Sequence, residues 1–153
     1  MEIMRLTRAG EYAIRCITYL SKKGVGVFAK KLEISQNAEI PAGFLAKIVQ
    51  DLGKAGLLEI KQGSKGGYCL IRDPREITLL EVVEIMIGRI YLNDCVARPK
   101  RCPSNPRCKV HRVWDDASVQ LRENLASTNF AQLIEEDFCS SVDLHFRNFN
   151  VAT

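Results

Sequence analysis

Between residues 41 and 70 the apolar side chains change period, and that change limits the folds open to this chain. From Pro41 onward, Phe44, Leu45, Ile48, Val49 and Leu52 recur at steps of three and four, the spacing of one helix face. Proline suits the first position of a helix, so the helix is expected to begin at Pro41 and to stop near Gly53 to Gly56. Leu58 and Ile60 then alternate with polar neighbours, Gly63-Ser64-Lys65-Gly66-Gly67 makes a turn, and Tyr68 and Leu70 alternate again. That pattern predicts a β-hairpin with a lysine at its tip. Two helices are expected ahead of it. One runs from about Thr7, its cap, to Ser21, with Ala13, Ile14, Ile17 and Leu20 as its buried stripe. The other spans Ala29 to Asn37, with Leu32 and Ile34 as its apolar positions. Three helices and a hairpin in this order predict a mainly α fold with a small β-wing, a winged helix-turn-helix. The same order also describes small α+β domains with no nucleic-acid partner.

Downstream, Thr78-Leu79-Leu80-Glu81 has the capping-box pattern and opens a helix to about Gly88. A loop with Pro99, Pro103 and Pro106 follows. A longer helix runs from about Lys109 to Ser127, with Val110, Trp114, Ala117, Leu121 and Leu125 at steps of three and four. Thr128 caps a short helix through Asp137, and the tail from Phe138 is unassigned. The expected division is a winged-helix unit over 1–75, a loop and long-helix region over 76–137, and a tail over 138–153.

Charge is unevenly spread. The net charge is +4, yet residues 1–75 carry 13 Lys/Arg against 7 Asp/Glu, and the rest of the chain carries 9 against 11. A basic N-terminal half suits a polyanion such as double-stranded DNA, because Lys and Arg displace the counterions condensed on phosphates. Lys47 and Gln50 on the third helix, with Lys61, Gln62, Ser64 and Lys65 around the wing, are candidate contacts for bases or phosphates. Ala42 and Gly43 would let the third helix approach base edges closely. No stretch reaches the roughly 18–20 apolar residues that span a bilayer, and no signal-peptide pattern opens the chain, so a cytoplasmic protein is expected.

In such a reducing compartment, cysteines suit metal or redox chemistry better than disulfides. Cys95, Cys102 and Cys108 are separated by six and five residues, and His111 follows after two more. Between Arg98 and Arg112 stand six basic residues and no acidic one. Cationic surroundings favour thiolates, the form that binds metals. Three thiolates with an imidazole suit zinc or an iron–sulfur cluster, and the lack of a tight Cys-x-x-Cys knuckle favours the larger group. Three unrelated thiols remain the alternative. Cys16, Cys69 and Cys139 read as structural, and His145 as a surface residue. No Cys-x-x-Cys redox motif or phosphate loop points to an enzyme.

Four segments carry a family resemblance: Met4-Arg5-Leu6-Thr7, Ile40-Pro41-x-x-Phe44-Leu45-x-Lys47-Ile48, Gly66-Gly67-Tyr68-x-Leu70 and Cys108-x-x-His111-x-x-Trp114. Together they resemble the Rrf-type winged-helix transcription regulators, the family of IscR, NsrR and CymR, over nearly the whole chain to about Glu136. The resemblance implies a homodimer on a pseudo-palindromic operator, with the long C-terminal helix at the dimer interface; repression is the expected sign of regulation, which the residues themselves do not set. It places DNA contacts at Pro41, Ala42, Gly43, Phe44, Ala46 and Lys47 and along the wing from Gln62 to Lys65. It also implies an iron–sulfur cluster on Cys95, Cys102, Cys108 and His111, of the 2Fe-2S type. The chain departs from the IscR pattern in a cysteine loop one residue longer, and in Gly43 and Ala46, where IscR has polar side chains. It departs again in Glu11, which falls where NsrR-like members place an acidic fourth ligand from the partner subunit. His111 is favoured, and Glu11 would open the way to 4Fe-4S. The alternative within the same fold is regulation by direct thiol oxidation, zinc or a protein partner.

Overall fold

The computed structural model describes residues 7–104 and 107–135. Met4 to Leu6, Pro106, Glu136, Asp137, Cys139 and His145 lie outside them. Helix α1 (Arg8–Lys23) begins as expected, with the Thr7 hydroxyl accepting the Gly10 N–H at 3.3 Å. It buries Ala13, Cys16, Ile17 and Leu20 and runs two residues past the expected end, to Lys23, with Gly24 as its C-cap. Helix α2 is shorter than expected, Lys31–Asn37. Ala29 stays out of it because its backbone exchanges two 2.9 Å hydrogen bonds with Tyr68. Leu32 is 66% exposed while Ile34 is buried, since residues two apart on a helix lie on opposite sides. Glu39, in the turn to the next helix, takes φ 52°, a conformation that costs a side-chain-bearing residue about 1 kcal/mol.

Helix α3 (Ala42–Lys54) starts one residue after Pro41, which occupies the cap position with ψ 133°. Leu45, Ile48, Val49 and Leu52 form its buried face. Phe44 does not join them: it is 47% exposed and stacks edge-on against Tyr12, ring centres 5.4 Å apart. Strands β1 (Leu58–Lys61) and β2 (Gly67–Leu70) pair antiparallel, Leu58 opposite Leu70 and Lys61 opposite Gly67. The paired glycines at the foot of the turn are required by space. A Cβ on Gly66 would lie 2.1 Å from the Lys61 carbonyl oxygen, and one on Gly67 would lie 2.3 Å from that of Ala29.

Helix α4 (Leu79–Ile87) is capped by Thr78, whose hydroxyl accepts the Glu81 N–H at 3.1 Å. The other half of the expected box is absent among the described hydrogen bonds, because the Glu81 carboxylate is taken by Arg72 at 2.6 Å. Short helix α5 (Asp94–Ala97) and a 3-10 turn (Pro99–Arg101) occupy the cysteine loop. Helix α6 (Lys109–Ala126) is followed by α7 (Phe130–Ile134). Asn129 caps α7, not Thr128, because the Asn129 and Gln132 side chains each accept the other's backbone N–H. The Thr128 carbonyl instead accepts from Leu79 N at 2.8 Å.

Among the described residues the main buried cluster draws on both halves of the chain. Ile77, Val82 and Phe130 join Ile17, Leu20, Leu45, Ile48 and Leu70 in a single buried cluster, so it crosses residue 75. Phe130 is fully buried, and its N–H donates to the Ile77 carbonyl at 3.0 Å.

Candidate functional site

The side of α3 opposite its buried stripe carries Gly43, Lys47, Gln50 and Lys54, at steps of four, three and four, and all are exposed. Pro41, Ala42 and Phe44 are exposed at its start, and Ala46 is half-buried on the flank toward the wing. The space around Gly43 is open: a Cβ there would meet no atom within 4 Å. Lys61, Gln62, Ser64 and Lys65 are all exposed on the wing. Between α3 and the wing lies a cleft of about 440 Å³ lined by Lys30, Lys31, Ala46, Gln50, Lys61 and Gln62 among others.

Two of those lysines escaped the sequence reading. Lys30 donates from Nζ to the Gly63 carbonyl at 3.2 Å and also to that of Ser64, tying the wing turn to the start of α2. Its adjacent pair Lys30-Lys31 was legible, but an α2 beginning at Ala29 would have placed both inside the helix. Lys61 lies with its ammonium 5.9 Å over the Phe28 ring. The wing is thus held in place by side chains as well as by the Ala29–Tyr68 pairing.

The helix-turn-helix is fastened to α1 by two clusters. Glu33 accepts from the Tyr19 hydroxyl at 2.7 Å, from Lys23 Nζ at 2.5 Å and from the Lys30 N–H at 3.3 Å. Those donors, Lys23 first and Tyr19 second, hold its carboxyl down to about 2. Arg15 pairs with Glu11 at 2.6 Å, reaches the Glu39 carbonyl at 3.4 Å and its carboxylate at 3.6 Å, and lies 5.9 Å over Tyr12. Glu11, the alternative acidic ligand, is therefore engaged within its own helix.

In the cysteine loop Cys95 lies in α5, Cys102 follows the 3-10 turn, and Cys108 caps α6; all three are free, half-buried thiols. Cys95 and Cys102 line one cleft of about 360 Å³ together with Asp94, Arg98 and Arg101. Cys108 and His111 are not among its lining residues. His111 Nδ1 is buried without a hydrogen-bond partner, which leaves an imidazole nitrogen unsatisfied beside the loop. Among the described residues no three His, Cys, Asp or Glu side chains converge closely enough to hold a metal ion. The donor types thus suit a thiolate-bound group, and the loop brings two of the four predicted ligands to one cavity. By contrast, burial pushes the Cys16 thiol up to about 12, and burial, then Glu59, raises that of Cys69. Both stay protonated and unreactive.

A latch that the sequence reading missed fixes the approach to this loop. Glu84 on α4 accepts from the Ile90 N–H at 2.9 Å and takes two bonds from Arg122 on α6, at 2.7 and 3.1 Å. The Arg122 guanidinium is the main reason that the Glu84 carboxyl titrates below its ordinary range. Buried Ser118 accepts the Leu92 N–H at 3.1 Å and donates to the Trp114 carbonyl at 2.7 Å. A serine inside an otherwise amphipathic helix was the one signal available. On α6, Val110, Val113 and Trp114 are exposed by 59, 64 and 38%, with Ala117 and Leu121 half-buried on the same face. No described helix is long and apolar enough to cross a membrane.

Comparison with known proteins bears on these features. Residues 6–136 match the family model for Rrf2, described as an iron-dependent transcriptional regulator. The transcriptional regulator NsrR of Shouchella clausii is 30% identical over 132 residues, covering 86% of this chain and 89% of that protein. The regulator IscR of Sodalis glossinidius is 30% identical over 137 residues, covering 88% of this chain and 81% of that protein. Among solved structures, CymR, the global cysteine regulator of B. subtilis, superposes with a TM-score of 0.70 at 23% identity, over 86% of this chain and 97% of that one. The IscR of T. potens superposes with a TM-score of 0.71 at 18% identity, over 94 and 95%.

Proposed function

Because the chain belongs to the Rrf2 family of transcriptional regulators, we propose that it is a homodimeric repressor whose operator affinity is set by an iron–sulfur cluster. Cys95, Cys102 and Cys108 would hold the cluster with His111 as the fourth ligand. DNA binding itself follows from the family. The observation that carries the cluster is the loop's chemistry: three half-buried free thiols, two of them within a run of six cations and Cys95 just ahead of it, beside a buried imidazole nitrogen with no partner. Three thiolates with bound iron and sulfide carry net negative charge, which Arg98, Lys100, Arg101, Arg107, Lys109 and Arg112 offset. His111 is preferred to Glu11 because the Glu11 carboxylate is already bound to Arg15. With His111 as the fourth ligand the cluster would be of the 2Fe-2S type; a 4Fe-4S cluster would accompany Glu11 from the partner subunit.

When bound, the cluster would supply a centre whose oxidation, ligand exchange or loss alters the loop. The chain's own residues would do the rest. The exposed Val110, Val113 and Trp114 face of α6 would pair with its copy across a two-fold axis. That pairing would set two recognition helices about 34 Å apart, one turn of a pseudo-palindromic operator. Pro41 to Phe44, Lys47 and Gln50 would enter the major groove while Lys61, Gln62, Ser64 and Lys65 reach the flanking backbone.

The test is anaerobic purification with iron and sulfide analysis, then binding to selected operator duplexes before and after iron removal. Visible absorption, stoichiometric iron, and an affinity that changes on removal are the expected results. Protein that stays colourless and iron-free after reconstitution would overturn the cluster. Loss of iron from Glu11→Ala but not from His111→Ala would reassign the fourth ligand. The same-fold alternative, thiol oxidation, zinc or a protein partner, draws on one observation: the described donors do not converge on a metal geometry. Zinc, or operator binding that responds to a mild oxidant without iron, would favour it.

A further inference from the structure

The outward face of α3 has a feature that the fold does not need. Gly43 sits in the first turn of a 13-residue helix, on the side opposite Leu45, Ile48 and Leu52. Glycine weakens a helix relative to alanine. Here it gains nothing from the protein in return: its φ is not positive, and a Cβ would enter open space. Gly66 and Gly67 of the wing, in contrast, are each forced by a backbone oxygen within 2.3 Å of the missing Cβ. The neighbours of Gly43 are equally bare. Ala42 is exposed, Ala46 is half-exposed toward the wing cleft, Pro41 lacks an N–H, and Phe44 covers the other flank against Tyr12. From Pro41 to Ala46 no side chain carries a hydrogen-bonding group. Donors begin only with Lys47 and Gln50, one and two turns further along the same face.

A face of this kind meets a duplex at closer range than one bearing long polar side chains. What it can recognise in the major groove is apolar, and the one apolar group there is the C5-methyl of thymine. We infer that the start of the recognition helix reads its operator through thymine C5-methyl groups packed on Ala42, Gly43 and Ala46. Side-chain hydrogen bonds to bases then come only from Lys47 and Gln50. Lys47 suits the O6 and N7 acceptors of guanine, and Gln50 suits the N6 and N7 edge of adenine. Each half-site therefore contains at least two adjacent positions that require thymine on a defined strand. This rests on the DNA-binding reading, and the test separates the two.

The full-length protein, purified anaerobically, is first used to select half-sites from a randomised duplex pool. Each thymine of the selected duplex is then replaced by deoxyuridine, which removes the methyl and nothing else. Loss of about fourfold in affinity per methyl is expected at two or more positions in each half-site. Changing such a position to a G·C pair with cytosine on that strand, and then to 5-methylcytosine, is expected to recover part of the loss. Gly43→Ala supplies the protein arm. It should raise the melting temperature slightly, since the Cβ meets nothing in the fold, and should weaken operator binding about tenfold by crowding the contact. Affinity unaffected by deoxyuridine at every half-site position would overturn the inference while leaving DNA binding intact. So would losses confined to removal of guanine N7, or a Gly43→Ala protein that binds the operator as tightly as the parent. Failure to retain any duplex at low salt would overturn both readings together.

Discussion

Replacing Phe130 by alanine tests whether the long C-terminal half is part of the winged-helix core or merely attached to it. Phe130 is fully buried among residues that include Ile17 and Ile77, and its backbone is hydrogen-bonded to Ile77. Truncating a phenylalanine in such a site costs about 3–5 kcal/mol, from lost transfer energy and the cavity left behind. A domain of this size has on the order of 5–15 kcal/mol in total, so the loss is a large share of its stability. At about 2–4 °C per kcal/mol, the melting temperature should fall by about 6–20 °C. The assay is urea unfolding at one fixed protein concentration, since association would add to apparent stability. Two probes are followed together: far-UV circular dichroism, and the fluorescence of the single tryptophan, Trp114, on α6. One shared core requires both to lose stability by the same amount in Phe130→Ala, with coincident transitions in the parent. A loss below about 1 kcal/mol would refute this argument, as would transitions that separate so that the dichroism of α1 to α3 survives while Trp114 unfolds.

Two further outcomes follow from the same geometry. Gly67→Ala places a Cβ 2.3 Å from the Ala29 carbonyl oxygen and must break the Ala29–Tyr68 pairing; operator affinity by fluorescence anisotropy should fall at least tenfold, and unchanged affinity would show that the wing need not be held there. Glu33, held near 2, contributes stability that is fully present above its unfolded value of about 4.5 and is lost as pH falls from there through about 2; the Glu33→Gln protein should be less stable at neutral pH and should show a shallower stability loss across that acid range in urea titrations.

What the sequence made visible was whatever rests on local rules. The α3 stripe from Leu45 to Leu52, the hairpin and the Thr7 and Thr78 caps are written in residues a few positions apart. The errors have the opposite character. Ala29 leaves α2 because Tyr68, distant in sequence, competes for its backbone. Glu81 leaves its box because its carboxylate is taken by Arg72, nine residues earlier. Phe130 stood at the edge of an unremarkable segment, and nothing local says that it is the residue that returns to α1. In the candidate site, residue types and spacing named the cysteine loop and the exposed face of α3. They did not reveal Lys30 under the wing or the Glu84–Arg122 latch, both of which depend on groups meeting across 33 or more positions.

That latch, with the shared core, limits how the cysteine loop can act on the DNA-binding face. Helix α6 is fixed near its middle and C-terminal half, by Ser118 to Leu92 and by Arg122 to Glu84, and the chain beyond it is anchored by Phe130. Its first turns, from Cys108 through Trp114, carry the exposed apolar side chains and lack such anchors among the described contacts. A rearrangement of the loop would therefore act on the first turns of a helix whose described side-chain bonds to the rest of the fold lie further along. The residues it would move first are Val110, Val113 and Trp114, the proposed pairing surface. The recognition helix would respond through the spacing of the two subunits, since Leu45, Ile48 and Val49 are packed within the same core that anchors α7. Weakening the latch with Glu84→Gln should then loosen the link between loop state and operator affinity while leaving the contacts of α3 with DNA unaltered. The measurement is the ratio of affinities with and without iron: a ratio unchanged by Glu84→Gln would remove the latch from the route.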